Sequence, residues 1–303
     1  MSQKSLIQVL EKFATEEQCI KHLEHLRWPT GIVCPLCGST RHFYIITRDH
    51  KYKCADCEKT FSVRKGTIFE ESRLPLRTWF AASWLVTHNR KGISSCQLAR
   101  EIGVTQKTAW FMLGRLREVA DAMGRTGGPL NGEVEADETY LGGKEKNKHR
   151  NKRLNAGRGT VGKQVIAGVR ERSGRIKAQM IDNTSRELLH PFVRTNVCSG
   201  STLYTDDHSG YAGLSDYNHH RVNHSGGEYV RGMIHTNGIE SFWALFKRGY
   251  IGIFHHLTRK HLRRYIAEFE MRWNMNARKD TNRTDSLLES VSGLRLTYQK
   301  LIA

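Results

Sequence analysis

The sequence predicts a multi-domain α+β chain, and three of its features carry that prediction. Two Cys-x-x-Cys pairs, Cys34/Cys37 and Cys54/Cys57, stand sixteen residues apart near the N-terminus. Apolar residues then recur at helical spacing between about residues 74 and 124. Past the glycine- and proline-rich stretch 125–132, short alternating runs interleave with helical ones, the pattern of an α/β region. A chain of 303 residues accommodates two or three such parts. The expected boundaries are a helical lead over 1–30, a metal-binding ribbon over 31–68, a helix-turn-helix segment over 69–124, an α/β core over 130–276 and a C-terminal tail over 277–303.

Lys and Arg number 48 against 30 Asp and Glu, a formal charge of +18. A chain this basic points to a polyanionic partner, most simply nucleic acid. The opening Met-Ser-Gln-Lys-Ser-Leu lacks the apolar run of a signal peptide, and the longest apolar run, residues 80–86, is far too short to span a bilayer. A soluble, cytoplasmic protein without membrane contact is expected. Of seven cysteines, Cys19, Cys96 and Cys198 stand singly and four form the two pairs. That is metal usage in a reducing compartment rather than a disulfide framework.

Thr15, followed by Glu16, Glu17 and Gln18, reads as a helix start. Cys19, His22 and His25 share one side of that helix, but Ile20, Leu23 and Leu26 run through it as a packing stripe, the reading preferred here. In the ribbon, each cysteine pair forms a tight knuckle aimed at one cation, and residues 43–47 supply strand material for the hairpin between them. Four thiolates at about 2.3 Å make a closed tetrahedral zinc site, structural rather than catalytic. The alternative, a redox dithiol, lacks thioredoxin-like surroundings. Residues 93–113 then read as a helix-turn-helix: Leu98, Ala99 and Ile102 pack the first helix, Gly103 makes the turn and Thr105 caps the second. Gln106, Lys107 and Thr108 open that second helix, at the end that would enter a major groove, with Trp110, Leu113 and Leu116 holding it to the domain. A helical hairpin that only packs is the alternative.

In the core, residues 133–143 alternate Val134 and Ala136 against acids. Residues 161–169 and 175–181 form a hairpin, 185–197 a helix, and 202–207 and 219–222 two further short strands. A helix then carries Ile239, Phe242, Trp243 and Phe246 on its apolar face, with Asn237, Glu240 and Lys247 on another stripe. Asn237 can cap this helix while Glu240 closes a capping box. The same stripe can equally serve a site. Asp137 and Asp206 close the first and fourth strands and can meet at the sheet edge, where oxygen ligands suit Mg²⁺ or Mn²⁺. Two such ions would activate a water or a 3′-hydroxyl and stabilise the leaving oxygen of an in-line displacement at phosphorus.

The blocks E-A-D-E-T-Y-L-G-G, L-Y-T-D-D-H-S-G-Y and H-T-N-G-I-E-S-F-W-A-L-F-K, in that order, resemble the catalytic core of bacterial DDE-type insertion-sequence transposases. The chain is most similar to the group with an N-terminal zinc ribbon, a helical DNA-binding segment and an RNase H-like, ISXO2-like core. That resemblance spans about residues 13 to 276. It implies an α/β core with a mixed sheet in the order β-β-β-α-β-α-β-α, two Mg²⁺ or Mn²⁺ ions, and strand cleavage followed by strand transfer at the element's ends. It makes Asp137 and Asp206 the first two metal ligands. The third falls on Glu240, 34 positions after Asp206, or on Asn237, which some members of this group use. A carboxylate binds Mg²⁺ better than a neutral amide, which favours Glu240. Lys247 takes the basic position that often follows the third ligand, against DNA. Glu138 and Asp207 alternate to the opposite strand face.

Basic residues flank the predicted centre: Lys144, Lys146, Lys148, Arg150, Lys152 and Arg153 after the first aspartate, and Arg259, Lys260, Arg263 and Arg264 on the last long helix. Such residues give salt-dependent, sequence-independent affinity for phosphates, leaving sequence readout to the helix-turn-helix. The expected partner is double-stranded DNA, both terminal inverted repeats and target, bound by a homo-oligomer that synapses two ends near the nucleoid. A DNA-binding regulator without catalysis and a nuclease without strand transfer are the competing readings. The pairs His219-His220 and His255-His256 are read as structural or phosphate-contacting.

Overall fold

A computed structural model describes residues 5–46, 50–143, 149–152, 162–222, 235–279 and 282–303. The chain divides into two compact units, one of residues 1–123 with 280–303, the other of residues 124–279.

In the first unit, α1 (Leu6–Lys12) precedes α2 (Glu16–Arg27). Thr15 accepts from the Gln18 amide and Gln18 returns the bond to the Thr15 amide, a complete capping box. Cys19 is buried, which pushes its thiol up to about 12, and His22 bonds Asp285 at 2.9 Å while packing on Phe13 and Phe80. Cys19, His22 and Leu23 are therefore taken up by packing, while His25 is exposed. The ribbon is an antiparallel sheet of β1 (Phe43–Ile46), β2 (Lys51–Cys54) and β3 (Thr60–Phe61). Its inner face, Tyr52 and Phe61, meets Trp28 at the end of α2 with ring centroids 6.1 Å away in both cases.

Three helices follow: α3 (Leu76–His88), α4 (Ser95–Ile102) and α5 (Gln106–Thr126). Gly103 ends α4 at φ +69°, the left-handed turn that only glycine adopts freely. Thr105 accepts from the Thr108 amide and starts α5. Gln106 and Lys107 are exposed there, while Leu113 and Leu116 are buried. Residues that read as a tail return to this unit. Helix α9 (Arg283–Glu289) packs on α3 and α2, and α10 (Tyr298–Ile302) seals α5. Gly114 exists for that contact, since a Cβ would stand 2.9 Å from Leu301. Buried Arg115 donates to the carbonyls of Leu296, Ile68 and Glu70, tying the returning segment to the centre of the unit.

The second unit is a mixed sheet. Its strands are β4 (Glu133–Leu141), β5 (Gln164–Glu171), β6 (Ile176–Ile181), β7 (Thr202–Asp206) and β8 (Asn218–Val222), in spatial order β6-β5-β4-β7-β8. The first three pair antiparallel; β4–β7 and β7–β8 pair parallel. Helix α6 (Arg186–Asn196) covers one face through Leu189, Phe192 and Val193 against Val134, Ala136, Ala167 and Val169. Helices α7 (Asn237–Gly249) and α8 (Arg259–Ala277) cover the other, through Ile239, Phe242, Phe246, Ile266 and Phe269 against Leu141, Ile166 and Ile176. Asn274 on α8 accepts from the Ile176 amide at 2.8 Å and donates to its carbonyl at 3.0 Å, standing in for a further strand at the open edge of β6. The family resemblance implied a helix between the fourth and fifth core strands. The structure instead has a 3-10 turn, Ser209–Tyr211. This connection runs close against the start of α6, where a Cβ at Gly210 would lie 2.4 Å from the Thr184 carbonyl and 2.7 Å from Leu189.

Candidate active site

With helices on both faces, the alternation along β4 sorts its side chains by function rather than by burial. Val134 and Ala136 point at α6, and Glu138 accepts from the Tyr211 hydroxyl at 3.0 Å on that side. Glu135 and Asp137 point at α7. Asp137 lies opposite Gly168 of β5. A Cβ at Gly168 would stand 2.6 Å from the Trp243 ring, so glycine leaves the space in which the indole lies over the strand. Trp243 Nε1–H then donates to Asp137 Oδ2 at 3.1 Å. On the other side, β4 pairs in parallel with β7 from Glu133–Thr202 to Glu135–Tyr204, and Asp137 and Asp206 each lie two residues past that last pair. Burial pushes the Asp137 carboxyl up to about 8, and the charges of Glu138, Asp206 and Glu240 add to that shift.

Glu240 lies one helical turn into α7, exposed, its Oε1 accepting from the buried Thr236 hydroxyl at 2.9 Å. The expected cap is corrected here. Thr236 occupies the N-cap position and Asn237 is the first helical residue, so no Asn237–Glu240 capping box forms. The helix start is instead held from the sheet: the Ile239 amide donates to Glu135 Oε2 at 2.7 Å. Glu135 is fully buried, with Arg170, Arg172 and His235 at 3.5, 3.6 and 3.7 Å from its oxygens. The sequence reading passed over Glu135, although its place two residues before Asp137 puts both on one strand face. Gly238 fits under this cluster only without a side chain, since a Cβ would lie 1.9 Å from Arg170 Nη1 and 2.6 Å from Glu135 Oε2. Gly238→Ala is expected to destabilise the folded chain by about 3 kcal/mol, read as a lower midpoint in urea denaturation.

Lys247 is exposed in the last turn of α7. Arg259, Lys260 and Arg263 are exposed on the first turns of α8, and Arg259 pairs with Asp182. Arg150 opens a short exposed 3-10 turn. Lys144, Lys146, Lys148 and Arg153 and the side chain of Lys152 lie outside the described residues. Asp207 is exposed. His219 bonds the Thr205 hydroxyl at 2.9 Å, and burial lowers its ring to about 4; His220 stacks on Tyr204. Both rings are held by neighbours within the second unit.

The cysteine quartet meets the requirements of zinc. All four Sγ atoms lie within 4.8 Å of one another, with Cys34–Cys57 at 3.8 Å and Cys37–Cys54 at 3.7 Å. Tetrahedral zinc–sulfur bonds of about 2.3 Å require sulfurs about 3.8 Å apart. The amides of Cys57 and Asp56 pull the Cys54 thiol down to about 7, toward the thiolate a metal needs.

Residues 14–60 match the transposase zinc-ribbon domain, and residues 129–274 match the ISXO2-like transposase domain. The chain is thus similar to ISXO2-like transposases over most of its second compact unit and to transposase zinc ribbons near its N-terminus. It is 28% identical over 314 aligned residues to an uncharacterized protein in transposable element ISH50 of Halobacterium salinarum, covering 93% of this chain and 98% of that one. No solved structure matches. Among the described residues, no helix is long and apolar enough to cross a membrane.

The acids on β4, β7 and α7 are hard oxygen donors of the kind a divalent ion takes, their negative charges acting on one carboxyl within a strongly basic chain. Among the described residues only the cysteines form a group of three ligands within 4.8 Å, so the acids are spread more widely than the ligands of one ion. A two-ion site accepts that wider spread.

Proposed function

We propose that this chain is a polynucleotidyl transferase that cuts and joins DNA at the ends of an insertion sequence. Asp137, Asp206 and Glu240 would hold Mg²⁺ or Mn²⁺. The observation that carries this reading is Asp137 itself, a carboxyl on the central strand of a mixed sheet, pushed up to about 8 by burial and acted on by Asp206 from the neighbouring strand and Glu240 from α7. Bound divalent ions would supply a nucleophile at neutral pH and neutralise charge at the transferring phosphorus. The chain's own contribution is to orient those ligands on a strand pair and one helix whose positions are set by buried bonds. Lys247, Arg259, Lys260 and Arg263 offer phosphate contacts near the ends of α7 and α8. Gln106, Lys107 and Thr108 present the polar start of α5 to a major groove. The substrate would be double-stranded DNA in the cytoplasm, held by a homo-oligomer that pairs two ends.

Incubating the protein and Mg²⁺ with labelled element ends and a target plasmid tests this. Ends both cut and joined are expected. Cutting alone would make the chain a nuclease. No cleavage with any divalent ion, with wild type behaving like Asp137→Ala, would leave a DNA-binding regulator. Comparing Glu240→Gln with Asn237→Ala identifies the third ligand, and a fully active Glu240→Gln would hand the role to Asn237.

A further inference from the structure

We infer that Glu135 and Trp243 are positioning residues that fix the register of α7 on β4 and so set the third-ligand helix over Asp137. The inference rests on the metal site proposed above. Two bonds join the helix to the strand: the Ile239 amide to Glu135 Oε2 at 2.7 Å, and Trp243 Nε1–H to Asp137 Oδ2 at 3.1 Å. The donors are four helical residues apart and the acceptors two strand residues apart. Four helical residues rise about 6 Å and two strand residues about 6.7 Å, so both bonds form together when the helix runs along the strand. A shift of the helix by one residue breaks both.

Each point of the lock has its own space made by glycine. Gly168 admits the Trp243 ring over β5, and Gly238 admits Arg170 and Glu135 beneath the first turn. Glu135 is fully buried and spends one oxygen on the helix amide, so it serves α7 rather than solvent or substrate. Trp243 is only 4% exposed, but burial alone does not call for an indole whose N–H reaches a carboxylate. Between these two points lies Glu240, one residue after Ile239 and with its own oxygen tied by Thr236. Asp137 is likewise held by one oxygen through Trp243. The arrangement presents two acids in fixed orientations from two different elements, which a metal site needs of the groups behind its ligands.

The test uses the full-length, zinc-loaded protein and Mn²⁺ alone, without DNA. Trp243→Phe keeps a ring in the space over Gly168 and removes only the N–H. It is expected to bind Mn²⁺ about tenfold more weakly while melting within a degree or two of wild type. It should also lose the Mn²⁺-dependent change in tryptophan emission expected of wild type. Glu135→Gln retains an acceptor for the Ile239 amide and should keep that amide protected from hydrogen exchange. Glu135→Ala should lose the protection and the Mn²⁺ affinity together. Wild-type Mn²⁺ affinity in Trp243→Phe, or an unchanged emission response, overturns the inference. So does an Ile239 amide that stays protected in Glu135→Ala. Failure of the underlying reading looks different: wild type and Asp137→Asn would then bind Mn²⁺ alike.

Discussion

Asp137→Asn should abolish Mg²⁺-dependent cleavage and, in the metal-free protein, raise stability at pH 8. The two effects have one cause. In the folded chain the Asp137 carboxyl is pushed up to about 8 by burial and by neighbouring acids, whereas in the unfolded chain it titrates near the ordinary value of about 3.9. Between those limits the folded state binds the extra proton, so stability is fully present below about pH 4 and is lost as pH rises toward about 8. An asparagine carries no charge to bury and escapes that loss. Its advantage should be near zero around pH 4 and grow to a few kcal/mol by pH 8, since each unit of displacement is about 1.4 kcal/mol. Melting curves at pH 5, 7 and 8 in buffer without added divalent ions would read this directly. Chelators must be left out, because they would strip the ribbon. A stability difference that does not change with pH would contradict the assignment of the charge to Asp137. Mn²⁺ should then raise the melting temperature of wild type and leave that of Asp137→Asn where it was, because only the aspartate can exchange its proton for a cation.

Much of this site is written at short range in the sequence. Asp206 at the end of its strand, the apolar stripe through Ile239, Phe242, Trp243 and Phe246, and the cysteine spacing are local patterns that the structure builds as indicated, whereas Asp137, expected to close its strand, lies in the middle of β4, which pairs with β5 on to Leu141. What escaped depends on partners distant in sequence. Glu135 reads as one more alternating acid until α7 arrives 104 residues later with an amide to offer. Trp243 reads as core until Asp137, 106 residues earlier, accepts its N–H. The capping box over Asn237 and Glu240 fits the local rule, but the buried carboxylate of Glu135 takes an amide of the first turn. The C-terminal helices escaped for the same reason, since the space they fill is left by Gly114 on α5, far back in the chain. Glycines were the nearest thing to a signal. Gly168, Gly238 and Gly114 each sit inside a regular element, where glycine weakens local structure unless another group must come close.

Loss of the zinc is the other change expected to be large, and it should act on DNA recognition while sparing the Asp137 site. The ribbon has four-, four- and two-residue strands and a small aromatic cluster of Trp28, Phe43, Tyr52 and Phe61. Three such short strands do not bury enough apolar surface to hold themselves together. Apparent zinc binding in small domains of this kind contributes about 10–16 kcal/mol, so the cation, not the core, keeps the ribbon folded. Wild-type protein should contain one zinc per chain, and Cys54→Ser much less. In that variant Lys51, Lys53 and Lys59, which lie on or beside the strands, should become early trypsin sites, and binding to element ends should fall by at least tenfold. Mn²⁺ binding should stay as in wild type, because Asp137, Asp206 and Glu240 belong to the other compact unit. A Cys54→Ser protein that resists trypsin at those lysines and binds ends normally would remove the ribbon from recognition. A variant that loses Mn²⁺ binding as well would show that the two units do not fold independently.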